Sequence, residues 1–585
     1  MKVFGRSLRY PVALCLLALA LIVAGDSPLT AGQAPLGPAY KRLDGTLRQV
    51  LAAQRRGPQR VIIRTRSGQR DAVRRLLASR ESTVLAELGT IDAVTAIING
   101  DELARLANSD GVLSVSTDAV VTARGQLLGG LLGGLLQTVT GVVGGLTNTV
   151  GGVLGSVVGI ISPATYTQGP AVPPQVLRET LGLDPRWTGR EVGVAVIDSG
   201  LEMSAEFNGR VRAFYDFTNG KTLPTYPSDD YGHGTHVAGT IGGSGSLSVN
   251  RDYRGIAPNV TFTILKVLDA NGAGYTSDVI RAVDFAVANR SWLGIDIINL
   301  SLGHPIYEPA ATDPLVLAVE RASKAGIVVV AAAGNMGMNP ETGMPGYAGI
   351  TSPGNAPSAI TAGAVMTRDT VTRNDDRIPD YSSSGPTWYD ALVKPDVLAP
   401  GHNIIAVASK RGTLYRDHPN LKAPDADYMR LSGTSMATGV TTGVVALMME
   451  AHATMLPGTP ALSPNATKAA LQYTALAVRN DYGVQYDPLR QGAGALNARG
   501  AIQLAKTMDT SQPRGAYWLT YNPLPWTVIA GEAYTWNQGI IWGEGIIWGE
   551  TVKVRESAWA TGIIWGESSV VWDSGIIWGE NVVWS

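Results

Sequence analysis

Between residues 171 and 506, short apolar runs alternate with segments of helical periodicity. Residues 192–197, 260–267, 295–300, 327–332 and 359–365 are continuous apolar runs of strand length, while 233–241, 277–288 and 314–324 place apolar positions at helical spacing. Strands that are apolar on both faces and separated by helices predict a mostly parallel sheet covered on each side, an α/β unit. Residues 41–124 follow a different order. Strands at 60–66, 84–88, 93–98 and 111–116 alternate with helices at 71–78 and 101–107. That β-α-β-β-α-β order is the split arrangement of a small ferredoxin-like α+β domain.

The two ends and the joint between these units read differently. Lys2, Arg6 and Arg9 precede an uncharged apolar run at 11–24, followed by small and polar residues. This three-part pattern predicts a signal peptide over 1–25, and the run is short for a membrane span. It implies a secreted or cell-surface protein. Residues 125–177 hold no Asp, Glu, Lys or Arg, and 125–170 read as a Gly/Leu/Val-rich linker. An uncharged stretch of that length suits a membrane, but glycine every few residues weakens a helix, so an accessible linker is the preferred reading.

From 509 to 585 the chain is rich in tryptophan. Gly-Ile-Ile-Trp-Gly-Glu recurs at 539–544, 545–550, 562–567 and 575–580. A six-residue step would turn successive tryptophans by about 240° around a helix, giving no apolar stripe. Ile, Val and Trp between glycines instead predict short β-strands and tight turns, with stacked tryptophans, in a repeat module. The plainer role for such a tail is a folded stalk or cap; the sharper one is contact with a cell surface or polysaccharide.

Composition narrows the classes. Charged residues make up 16% and apolar ones 45%, which excludes a disordered polyelectrolyte. A formal net charge of −1 gives no reason to expect nucleic acid as a partner. Cys15 is the sole cysteine, so no internal disulfide forms. Charge is nevertheless uneven. Residues 41–124 carry 14 basic and 9 acidic side chains, net +5, whereas 125–585 carry −8. Opposite signs favour association of the two parts.

Three segments of the α/β unit carry candidate chemistry. Val194-Ala-Val-Ile-Asp198-Ser-Gly200 is an apolar strand ending in a carboxylate, where open α/β sheets gather functional groups. His233-Gly-Thr-His236-Val-Ala-Gly239 and Ser432-Gly-Thr-Ser435-Met-Ala437 each open a helix. Singly, Asp198 could cap a helix or bind a ribose, His233 could be structural, and Ser435 could be an N-cap. Together, in the order Asp…His…Ser known for subtilisin, they resemble the subtilisin-like serine proteases.

The resemblance covers about 178–500 and implies the family's three-layer α/β fold. It implies a secreted serine endopeptidase acting through an acyl-enzyme on protein or peptide substrates. Ser435 would be the nucleophile, His233 its base and Asp198 the group that orients the imidazole. Asn335, after the strand-like Val328-Val-Val-Ala-Ala-Ala-Gly334, resembles the family's oxyanion asparagine. Ser301, Leu302 and Gly303 resemble its substrate-pairing edge, where a peptide main chain adds as a strand. The 41–124 unit resembles, more weakly, the family's inhibitory propeptide, which makes the chain's own propeptide a partner and the product a self-processed precursor.

Two departures stand out. The residues after the nucleophile read Gly439-Val-Thr-Thr-Gly443, which puts the packing of that helix in question. The 243–255 segment lacks a recognisable version of subtilisin's calcium loop. Asp229 and Asp230 read as a solvated loop, so no metal or cofactor is assigned, and calcium stays unassignable from sequence. The competing class is a surface-attached binding or structural protein with a degenerate protease domain, against which the intact Asp198, His233, Asn335 and Ser435 argue.

Overall fold

The computed structural model describes residues 38–79, 82–123, 176–218, 222–339, 344–513 and 518–537, with four short strands between 546 and 578. The signal segment 1–25 and the linker 125–170 lie outside the described residues. In the N-terminal unit, Gly45–Ala52 (α1), Pro58–Thr65 (β1), Arg70–Ala78 (α2), Thr83–Leu88 (β2), Ala93–Asn99 (β3), Gly100–Asn108 (α3) and Val112–Thr117 (β4) follow one another. The antiparallel sheet runs β2-β3-β1-β4, the ferredoxin-like order read from the sequence. Helix α1 was not legible in the apolar pattern. Asp44 starts it, its carboxylate accepting the Leu47 N–H at 2.7 Å.

Beyond this sheet the chain forms Val120–Thr122 (β5), which leaves its own unit. The larger body then contributes Gly193–Asp198 (β6), Val211–Asp216 (β7), Leu223–Pro224 (β8), Thr261–Lys266 (β9), Ala273–Tyr275 (β10), Ile297–Leu300 (β11), His304–Pro305 (β12), Val328–Ala332 (β13), Thr351–Ser352 (β14), Ile360–Val365 (β15) and Val397–Pro400 (β16). Its main sheet is ordered β16-β15-β13-β11-β6-β9-β7-β8 and is parallel apart from the β7–β8 pair. The central strands β6, β11, β13 and β15 are buried along their whole length, as their continuous apolar runs require.

Helices His233–Gly242 (α4), Thr276–Ala288 (α5), Pro314–Lys324 (α6) and Thr434–Met455 (α7) cover the sheet, followed by Pro464–Thr474 (α8) and Ala498–Ala505 (α9). Helix α7 is buried on nearly every side. Its threonines tolerate this because Thr438 and Thr441 donate to carbonyls one turn back, at 2.7 and 2.8 Å. The unusual Gly439–Gly443 stretch is a contact surface. A side chain at Gly443 would come within 2.5 Å of Ile256, so glycine is what lets α7 approach that loop.

The Trp-rich end divides in two. Trp526–Ile529 and Glu532–Thr535 pair as a hairpin, and Trp536 behind it is buried. Its indole N–H donates to Thr527 Oγ1 at 2.7 Å, and its ring meets Tyr473 of α8 edge-on, with centroids 6.0 Å apart. Residues up to Asn537 thus pack on the peptidase-like body. Within the repeats, Ile546–Trp548 pairs antiparallel with Ile563–Trp565, and Val570–Val571 with Ile577–Trp578. The register sets Trp548 opposite Ile563 and Trp565 opposite Ile546. The stacking expected of the tryptophans falls on side chains outside the described residues.

Truncation should separate these two parts. Removing 538–585, which takes Ile563–Trp565 from beside Pro464–Thr474, is expected to shift the unfolding midpoint of the body only slightly. Removing 509–585 also strips Trp536, Ile529 and Leu519 from the core and should cost several kcal/mol, as a denaturant titration would show.

Candidate active site

Parallel strands deliver their carboxyl ends to one side of the sheet, and the candidate residues collect there. Asp198 is the last residue of β6, Ser301 to Gly303 follow β11, and Asn335 follows β13. His233 begins α4, and Ser435 is the second residue of α7. Asp198, His233 and Ser435 are all buried. The carboxylate of Asp198 faces His233 Nδ1 at 2.8 and 3.0 Å through its two oxygens, and Oδ1 also accepts the Ser199 N–H at 2.7 Å.

The turn that presents His233 is organised by Asp229. This carboxylate accepts five hydrogen bonds, from Ser199 Oγ and the N–H groups of Tyr231 and Gly232 at Oδ1, and from the Thr235 N–H and hydroxyl at Oδ2. Asp229 is only 4% exposed, so the solvated-loop reading fails for it. Asp230 does face solvent, with Lys266 Nζ at 3.4 Å. His236, the second histidine of the motif, is fully buried, and its Nε2 faces the Ile404 and Met429 carbonyls at 3.0 and 3.2 Å. Burial, helped by His233, pulls it down to about 3, which makes it a neutral structural group. His233 is the histidine that meets a carboxylate.

Ser435 Oγ donates to the Ser301 carbonyl at 3.1 Å, while Ser301 Oγ donates back to the Ser435 carbonyl at 3.0 Å. Ser301 in turn accepts from Asn299 Nδ2 at 2.9 Å. Asn335 Oδ1 accepts the Thr434 N–H and hydroxyl, at 2.9 and 3.1 Å, which leaves its Nδ2 amide as a donor beside α7. Gly334 makes the preceding turn at φ +109°, where a side chain would also strike Ser383 and Thr351 at 2.9 Å.

The cleft in front of Ser435 is filled by the chain itself. Thr122 and Gly303 exchange both of their backbone hydrogen bonds at 3.1 Å. On its other side β5 runs antiparallel to β10, and the Ala123 N–H donates to the Gly272 carbonyl at 3.1 Å. This brings the Ala123 carbonyl oxygen to 3.4 Å from Ser435 Oγ. Beside Ala123 a cavity of ≈ 20 Å³ remains, walled in part by Leu302, Ala332, Gly334 and Thr351. The reason for glycine at 303 differs from the expected one. An added Cβ would meet the Ser352 carbonyl at 2.6 Å, so the close neighbour is β14 rather than the incoming strand.

The N-terminal unit is fastened further along the same line. Asp118 accepts the N–H and hydroxyl of Ser277, both at 2.8 Å, at the start of α5, which has no cap from its own side chains. Arg60 bonds Asp118 at 2.6 Å and lies 3.7 Å from the centre of the Tyr275 ring.

The Asp198–His233 pair and Ser435 stand at one end of a parallel α/β sheet, and comparison with known proteins gives the class. The family model described as "Subtilase family" matches residues 189–494. Serine protease AprX of Bacillus subtilis (strain 168) is 38% identical over 320 residues, covering 54% of this chain and 67% of that protein. Subtilisin E of the same strain is 33% identical over 317 residues, with the same two coverages. The crystal structure of fervidolysin from Fervidobacterium pennivorans, a keratinolytic enzyme related to subtilisin, superposes with a TM-score of 0.54 at 20% identity. That alignment covers 77% of this chain and 61% of fervidolysin, and shares the fold. The chain belongs to the subtilase family and is a serine-type endopeptidase. Among the described residues, no helix is long and apolar enough to cross a membrane.

Asp229 is the site residue that motif reading passed over, and it can be tested apart from the chemistry. Asp229→Ala leaves five buried donors without their acceptor and is expected to cost about 3 kcal/mol of stability, measured by denaturant unfolding.

Proposed function

We propose that the chain is made as an exported precursor that cuts itself between Ala123 and Arg124, releasing an endopeptidase that 41–123 first inhibits. The observation that carries this reading is the Ala123 carbonyl beside Ser435 Oγ, on a segment paired with both walls of the cleft. The +5 charge of 41–124 against −8 for 125–585 supports docking, and the basic-then-apolar pattern of 1–25 supports export.

Each residue then has a role. The Ser435 hydroxyl swings from the Ser301 carbonyl toward His233 Nε2 and gives up its proton as Oγ bonds to the Ala123 carbonyl carbon. Asp198 fixes the imidazole through Nδ1 and balances its positive charge. The oxyanion is received by Asn335 Nδ2 and the Ser435 N–H at the start of α7. Collapse breaks the C–N bond to Arg124, whose nitrogen takes the proton from His233; water then hydrolyses the ester by the reverse route. Ser301, Leu302 and Gly303 supply the edge on which other peptides dock as β5 does. For the GIIWGE repeats, retention on a cell surface or polysaccharide is the matching proposal, supported by their strand pairing and aromatic content.

In a protease-deficient host, full-length Ser435→Ala should stay uncut between Ala123 and Arg124. Wild type should give a first product whose amino terminus, read by mass spectrometry, is Arg124. Cleavage of the alanine variant at that bond, or a wild-type first cut elsewhere, would contradict the assignment. Asn335→Ala should lower kcat by about a hundred- to a thousandfold with little change in KM, a magnitude transferred from subtilisin rather than obtained from this structure.

A further inference from the structure

Where the N-terminal unit meets the stretch between β12 and α6, carboxyl groups from both sides are brought together away from water. Glu308 and Asp313 come from the body and Asp44 from the N-terminal unit, at 8%, 2% and 2% exposure. Two of the three are already committed. Asp44 accepts the N–H groups of Leu47 and Thr117. Asp313 Oδ1 caps α6 by accepting the Leu315 and Val316 N–H groups at 2.9 and 3.2 Å. Asp313 Oδ2 is buried with no hydrogen-bond partner. The contact is closed by the Gly45 N–H, which donates to the Tyr307 carbonyl at 2.9 Å, next to Glu308.

Glu308 has no such fixed set of donors. Burial first, then the charges of Asp313 and Asp44, push its carboxyl up to about 8, against the opposing Ser116 and Thr312 hydroxyls. The facing cation is Arg64 of β1. Its guanidinium is itself lowered by burial, feels Arg321 and Asp92 besides Glu308, and keeps Nε buried without a partner. Ser116, Asp44 and Arg64 all belong to the N-terminal unit, so docking brings Glu308 a carboxylate and a cation together with part of its cover, and the burial outweighs the cation.

We propose that Glu308 is a proton-operated latch for the docked N-terminal unit, holding it over the substrate cleft when protonated and weakening its hold when ionised. Protonated, the carboxyl sits beside the Asp313 and Asp44 carboxylates without the like-charge repulsion that its ionised form adds. Undocked, Glu308 loses Arg64 along with Asp44 and part of its cover, and because burial is the largest influence it falls back toward its ordinary value of 4.5. Docking therefore takes up a proton in the window between about 4.5 and 8. The docked state is fully favoured below that window, weakens by up to about tenfold per pH unit across it, and is level above it. Rising pH thus loosens the inhibitor from the finished enzyme. The latch rests on the inhibitory role proposed above for 41–123.

Hydrogen exchange on the full-length, uncut Ser435→Ala chain tests both levels separately. The Thr122, Gly303 and Thr276 amides are bonded across the contact and report docking; the amides of β13 and β15 report folding in the same samples. After correction for intrinsic exchange, protection of the docking amides should fall by up to about tenfold per unit from pH 5 to 8. Adding Glu308→Gln, which keeps the shape of the protonated acid, should hold protection at its low-pH level throughout. Protection that is level with pH in the parent, or a slope that survives the glutamine, overturns the latch. Docking amides unprotected at every pH in a folded chain would overturn the inhibitory reading itself.

Discussion

Everything in this site depends on a parallel sheet sending its strand ends to one side. Asp198, Gly303 and Asn335 are far apart in sequence, yet each lies at or just past the end of one of the adjacent strands β6, β11 and β13. Those strands are buried on both faces, so their ends cannot shift without disturbing the core. Helices α4 and α7 then bring His233 and Ser435 in from their first turns. The fixed distances of the Asp198–His233 pair follow from that packing, with Asp229 holding the turn between them.

The same rigidity explains how a segment of the chain comes to lie across the cleft in front of Ser435. Between β10 and Gly303 the body offers two unpaired backbone edges, and β5 satisfies both. Main-chain pairing of this kind asks little of side chains, so it gives affinity without strong sequence preference. Specificity for this particular segment comes from further away, from Asp118 at the start of α5 and from Arg60 over Tyr275. In the self-cleavage proposed above, a product segment held so firmly would leave slowly once cut. The titrating carboxyl proposed at the edge of the contact would then have an effect that Asp198, His233 and Ser435 cannot supply.

Much of this was legible in the sequence, and the gaps have physical causes. Continuous apolar runs gave the central strands to within a residue or two, because burial on both faces leaves no other composition. Strands β7 and β16 were missed, the first being half-exposed and the second a four-residue edge ending in Pro400. Asp198, His233, Asn335 and Ser435 stand in local motifs. Asp229 does not, since its partners are mostly backbone N–H groups that any sequence provides. The meeting of Thr122 with Gly303, and of Gly45 with Tyr307, joins residues more than 170 positions apart and leaves no periodic trace.

The most direct test of the account is active-site labelling of the self-processed enzyme with a fluorophosphonate, with the adduct located by mass spectrometry. The account predicts a single modified residue, Ser435, and labelling that is suppressed while 41–123 remains docked. A folded, processed chain that takes up no label at Ser435, or one whose label is indifferent to the docked unit, would contradict it.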